Sequence, residues 1–283
     1  MSAAPILKQS LGDRLRQAVR LKRHAFAWSA LLALIAAPAG AEQISSARFA
    51  DPVERYGHFA LGRPHEYARL VATSDAGREL VLELPADEVF EDLAPRVVSL
   101  AAGEAQEILA IVSSRVNGAR LVMLRLSGDR LEISAQSAPI GTPMRWLNPV
   151  GVADLDGDGR AEIAAVITPH IGGTLKVYRR IGGELAEVAS LPGFSNHVYG
   201  SAELALSAVV QDKGGARLVV PDAARRQLRI VALERGGLIE LGRCALPSPV
   251  IGALRASAAS AVSVGLEDGV RSLRLTECEA GRR

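Results

Sequence analysis

Self-similarity constrains this chain more than any other feature, because a repeated unit fixes an architecture before any single element is read. Leu121–Leu126, Gly128, Leu131 and Ala138-Pro139 form one unit. Leu175–Arg180, Gly182, Leu185 and Leu191-Pro192 form a second, and Leu228–Leu233, Gly236, Leu238 and Leu246-Pro247 a third. The glycines are spaced by 54 and 54 residues, and the leucines by 54 and 53. Two more β-rich runs precede each unit: Val97–Leu100 with Ile108–Val112, Val150–Ala153 with Ile163–Ile167, and Leu204–Ala208 with Leu218–Val220. Short runs of this kind bounded by Gly, Pro, Asn or Asp read as strands. Four strands in a unit of roughly 40–54 residues describe one blade of a β-propeller.

A shorter unit precedes these three, with runs at Tyr67–Val71, Leu80–Leu84 and Val89–Leu93. A truncated one ends the chain, with runs at Ala253-Leu254, Ala261–Val264 and Val270–Leu275 and no fourth strand. Ile44–Pro52 resembles Ile133–Pro139, an outer strand of the repeat. The expectation is therefore an all-β chain of about five four-stranded blades, closed by the N-terminal strand completing the last blade, so that no sheet edge stays open. Six blades, a partial ring and an open two-sheet sandwich are the alternatives.

The first 41 residues stand apart. Lys8, Arg14, Arg16, Arg20, Lys22 and Arg23 face a single acid, Asp13. An uncharged apolar stretch follows from Ala25 to Ala37, then Pro38-Ala39-Gly40-Ala41 with small residues where a signal peptidase cuts. This is the plan of a secretory signal peptide over residues 1–41, with residues 42–283 as the mature propeller domain. An uncleaved anchor is the other reading. The formal charge of +2 then combines a leader of net +5 with a mature chain of −3, which removes the case for a nucleic-acid partner. No long apolar run follows residue 41, so the mature chain is expected to lack a membrane span. The expected location is periplasmic or secreted. There the two cysteines, Cys244 and Cys278, are free to form one disulfide or to remain thiols.

One stretch carries recognisable chemistry: Asp154, Asp156 and Asp158 alternate, Gly159 follows, and Glu162 opens the next apolar run. Alternating carboxylates turn inward as the backbone curls, and the carbonyl of Arg160 adds an oxygen. Hard oxygen donors in this order suit Ca2+. Ala165 stands where an EF-hand needs its bidentate carboxylate, and the flanks read as strands. Over about residues 148–180 the chain resembles the FG-GAP and VCBS repeat families. That resemblance implies an integrin-alpha-like calcium-binding propeller with this loop between the first and second strands of a blade. Glu162 stands where the family usually has Asp, and the family's Phe-Gly and Gly-Ala-Pro signatures are absent. Ala101–Glu104 and Gln211–Gly214 hold the equivalent places in other units without the acidic triplet, so one Ca2+ is expected. A metal-free acidic turn is the alternative.

Blade topology puts the loops at the other end of the strands on one face. Uncommon side chains gather there: Trp146, His170, Asn196, His197 and Tyr199. They are the candidate ligand-binding set, against ordinary loop packing as the simpler account. Arg115, Arg225 and Arg226 read as solvated loop charges. No Gly-x-Ser-x-Gly, His-Glu-x-x-His or phosphate loop occurs. The expected function is a non-enzymatic binding module for a protein or small-molecule ligand. A propeller-type hydrolase of envelope or extracellular polymers and an envelope assembly or adhesion subunit are the alternatives.

Overall fold

The computed structural model describes residues 42–235, 237–257 and 260–280. The leader assigned to residues 1–41, and Gly236 of the repeat, lie outside them. Among the described residues the chain is all-β, with one 3-10 turn at Leu275–Glu277. Among the described residues no helix is long and apolar enough to cross a membrane.

The repeats become antiparallel meanders. The first contains β1 (Ile44–Val53), β2 (Glu66–Ser74) and β3 (Glu79–Glu83), followed by the short β4 (Glu88–Phe90). The second contains β5 (Arg96–Val98), β6 (Glu107–Ser114), β7 (Gly118–Ser127) and β8 (Arg130–Gln136). The third contains β9 (Leu147–Ala153), β10 (Glu162–Ile167), β11 (Gly173–Ile181) and β12 (Glu184–Phe194). The fourth contains β13 (Ala208–Asp212), β14 (Gly215–Pro221), β15 (Gln227–Glu234) and β16 (Gly237–Ala245), and the fifth β17 (Val250–Ser257), β18 (Ala261–Leu266) and β19 (Gly269–Arg274). The last strand, β20 (Glu279–Ala280), returns to pair with β16. β4 bridges the first two meanders, pairing with β2 and β6. A parallel pair, Glu184 with Gln136, links the second to the third.

Side-chain alternation explains how the sheets stack. Successive strand residues point to opposite faces. On β6, Ile108, Ala110 and Val112 enter one core with Leu70, Leu80 and Phe90, while Leu109 and Ile111 enter another with Ile163, Ala165 and Trp146. β10 divides the same way: Ile163, Ala165 and Ile167 face the second sheet, and Ala164 and Val166 face Leu218, Val220 and Val231 of the fourth. β14 sends Val219 into the last core, with Leu254, Val262 and Val264. Strands buried on both faces read as continuous apolar runs. β6 and β10 are buried at every position, whereas the outer β8 alternates.

Two expectations need correction. The N-terminal strand does not complete the last sheet. β1 pairs with β2, Ala47 opposite Ala72 and Phe49 opposite Leu70. The cause is aromatic packing: Phe49 stacks on Tyr67 at 5.6 Å and on Phe90 at 5.2 Å, and Ile44 is buried in the same core. Among the described residues, no core cluster joins the fifth sheet to the first. The strand expected at Leu204–Ala208 begins only at Ala208. The backbone before it is held as a loop, because Asn148 Nδ2 donates to Leu204 O at 2.9 Å.

The cysteines are joined. Cys244 on β16 and Cys278 after β19 form a disulfide with a Cα–Cα distance of 4.6 Å.

Candidate functional site

The acidic loop connects β9 to β10. Gly157 and Gly159 take left-handed conformations, φ 81° and 88°, which let the chain curl within a few residues. Asp154 caps the curl: its Oδ1 accepts the N–H groups of Gly157 at 2.8 Å and Asp158 at 3.1 Å, and its Oδ2 accepts that of Gly159 at 2.9 Å. Leu155 is buried in the core between the third and fourth sheets and anchors the loop. Asp156 Oδ1 accepts the Asp158 N–H at 3.2 Å. Glu162 is fully buried, and its Oε2 accepts the Leu155 N–H at 3.0 Å. Burial pushes the Glu162 carboxyl above the usual carboxylate range, against the donation from Leu155 and Arg179.

Asp154, Asp156 and Glu162 each place one oxygen within 4.8 Å of the others. Ca2+ bonds oxygen at about 2.3–2.6 Å, so ligands on opposite sides of one ion lie about 4.6–5.2 Å apart. The three carboxylates therefore fit a single hard cation. Asp158 falls outside this group; its Oδ1 accepts the Arg160 N–H at 2.8 Å. The Arg160 guanidinium turns away to Glu104 at 3.1 Å. A groove of about 870 Å³ runs beside the loop, walled opposite Asp154, Asp156 and Asp158 by Ala216, Arg217 and Leu233 of the fourth sheet.

Arg179 was missed in the sequence. Its Nη2 reaches both Asp156 Oδ2 and Glu162 Oε1, the latter at 2.7 Å, and its Nε donates to Glu162 Oε1 at 2.9 Å. Hairpin register carries the signal that would have found it. Ile163 pairs with Tyr178, so the next pair along sets Glu162 opposite Arg179.

At the other end of the sheets, the five nominated residues share one neighbourhood. Trp146 stacks on His170 with ring centroids 6.0 Å apart and planes 7° from parallel. His197 meets Trp146 edge-on at 4.9 Å, and Tyr199 meets His170 edge-on at 5.3 Å. His170 Nε2 lies 2.7 Å from His197 Nδ1, and His197 Nε2 lies 2.9 Å from the Ser201 carbonyl. A carbonyl only accepts, so in the neutral pair His197 carries its proton on Nε2, and His170 Nε2–H donates to His197 Nδ1. Burial lowers both imidazoles to about 4. Asn196 donates to Asn148 O and Ser207 Oγ, both at 3.1 Å, while Asn148 returns a bond to Asn196 O at 3.0 Å.

Burial limits what this cluster can offer. Trp146, Asn196 and His197 are at most 1% exposed, whereas Tyr199 is 56% exposed. The reachable surface is Tyr199, part of His170, and the exposed Phe59 and Met144 nearby. Phe59, Met144, Thr168 and Arg225 all hold left-handed backbones at φ 51–56°, a conformation that bulky residues adopt only when their surroundings impose it. Gly62, at φ 68°, shows how tightly these loops meet: a Cβ there would lie 2.3 Å from Gly200 O.

The sequence reading missed the partners beneath the cluster. Trp146 Nε1 donates to Glu91 O at 2.8 Å, and Tyr199 OH donates to His58 O at 2.7 Å. Glu91 is buried and holds His58 Nδ1 at 2.6 Å on one oxygen and the Ser113 hydroxyl on the other. Desolvation raises Glu91, against both partners. His58 sits in the same kind of aromatic, glycine-containing loop as the nominated residues, and that was its signal. Arg225 is not solvated as expected: its guanidinium donates to Ser195 Oγ and Val250 O, both at 3.2 Å.

Glu66, Glu91 and Asp92 line a cavity of about 10 Å³, room for about one water. Glu66 accepts the Gly57 and His58 N–H groups, and Asp92 pairs with Arg96 at 2.5 Å. These carboxylates brace loops. No family model and no curated protein matches this chain.

Proposed function

We propose that the chain is an exported, non-enzymatic binding module built as a propeller of about five blades. It holds one Ca2+ at the β9–β10 loop and presents the loop face around Tyr199 to a protein or small-molecule ligand. The observation that carries this reading is the convergence of Asp154, Asp156 and Glu162 oxygens within 4.8 Å on a loop curled by two left-handed glycines. Meanders of like connectivity, stacked in series through alternating faces, support the propeller. The disulfide supports an oxidising compartment.

In this reading Asp154, Asp156 and Glu162 hold the ion, which supplies rigidity to the third sheet. Trp146, Asn196 and His197 form a buried floor that fixes His170 and Tyr199 for contact. The test is thermal denaturation of the mature chain with Ca2+ and with EGTA. Ca2+ should raise the melting temperature, and Asp156→Ala should abolish the rise. A melting temperature indifferent to Ca2+, EGTA and Asp156→Ala rejects the calcium assignment.

A further inference from the structure

We propose that Arg179 is the resident counter-cation of the acidic loop, competing with Ca2+ for the same carboxylates and so setting a weak affinity. This rests on the calcium reading above. The competition is geometric. Every carboxylate oxygen of the three convergent residues already accepts a donor. Asp154 is served by backbone N–H groups alone, Asp156 Oδ1 by Asp158 N, and Glu162 Oε2 by Leu155 N. The two remaining oxygens, Asp156 Oδ2 and Glu162 Oε1, are both held by Arg179.

Backbone donors stay in place when a cation arrives, because an N–H carries no net charge, and Asp154 Oδ2, Asp156 Oδ1 and Glu162 Oε2 each accept one N–H and keep a second lone pair. Arg179 differs in both respects. It is a full positive charge, it sits between two of the candidate ligands, and like charges a few ångströms apart repel. To let a divalent ion reach those two oxygens, the Arg179 side chain must swing out. It can do so, being about one-third exposed and held, among the described residues, to no other acid. Arg179 therefore stabilises the metal-free loop and subtracts from the binding free energy of the ion. Asp158, left outside the convergent group, is close enough in sequence to join only after the loop re-forms around a cation.

The experiment is isothermal titration calorimetry of the full mature chain with CaCl2, repeated with Tb3+ luminescence, on wild type, Arg179→Gln and Arg179→Lys. Arg179→Gln should bind Ca2+ about tenfold or more tightly than wild type, since a charge-assisted bridge is no longer displaced. The same variant should melt lower than wild type in EGTA and regain the difference in Ca2+. Arg179→Lys, which keeps the charge but cannot bridge two carboxylates as a planar fork, should fall between them. It also carries the test if Arg179→Gln fails to fold. Equal or weaker Ca2+ binding by both variants overturns the competition while leaving the calcium reading intact. No Ca2+ or Tb3+ binding by any of the three chains overturns both.

Discussion

The disulfide fixes the fate of the fifth sheet, and its removal makes a quantitative prediction. Among the described residues β17, β18 and β19 share a core with the fourth meander and the loop that leads into it, and the N-terminal strand that could have sealed the outer side is paired with β2. Two features tie the end of the chain back: β20 adds to the edge of β16, with Gly242 opposite Ala280 and Arg243 opposite Glu279, and Cys278 is bonded to Cys244. The bridge closes a loop of sequence separation 34. Chain-entropy reasoning for a loop of that length gives about 3.8 kcal/mol of stabilisation at 25 °C. Cys278→Ser, or reduction of the wild type, should lower stability by about that amount in urea denaturation. It should act locally as well. Hydrogen exchange read by mass spectrometry should show loss of protection across Val250–Arg274, while β6 and β10, buried on both faces, keep theirs. Unchanged exchange in β17–β19 after reduction would refute the clamp. A loss spread evenly over all five meanders would do so too, by showing that the chain unfolds as one unit.

Acid should loosen the loop face. His170 and His197 titrate near 4 in the folded chain against about 6.5 unfolded. The unfolded state therefore binds more protons between these values, and stability present above pH 6.5 drains as pH falls toward 4. Fully buried His197 accounts for about 3 kcal/mol of this, and part-exposed His170 for less. Urea midpoints from pH 7 to pH 4 measure the slope, and His197→Gln should flatten it. Arg225 faces the pair with positive charge and Glu203 faces His197 with negative, so Glu203→Gln should steepen the fall. Trp146→Ala should cost about 3–5 kcal/mol by cavity formation. Trp146 is the sole tryptophan after residue 41, so a Glu91→Gln chain that still folds should report any change beside the indole by its fluorescence.

The sheets were legible because alternation and spacing are local properties. Leu131, Leu185 and Leu238 recur at one register of the fourth strand, and the structure sets each on β8, β12 or β16. The acidic loop was legible for the same reason, its glycines and carboxylates lying within nine residues. What escaped was decided by contacts distant in sequence. β1 looked like an outer strand by composition, yet Phe49 chose its partner through Tyr67 and Phe90. Leu204–Ser207 had the apolar content of a strand, but Asn148, more than fifty residues earlier, bonds its backbone and holds it as a loop. Clustering of Trp146, His170 and His197 followed from the loops that share one end of the antiparallel meanders, whereas their burial did not, because loop length alone does not reveal how tightly neighbouring loops close over one another.

Calorimetric titration of the mature wild-type chain with CaCl2 tests the central claim most directly. The account predicts saturable binding at one site per chain, abolished by Asp156→Ala and matched by a rise in melting temperature. Absence of binding heat with no thermal shift, or binding that survives Asp156→Ala and Glu162→Gln together, would contradict it.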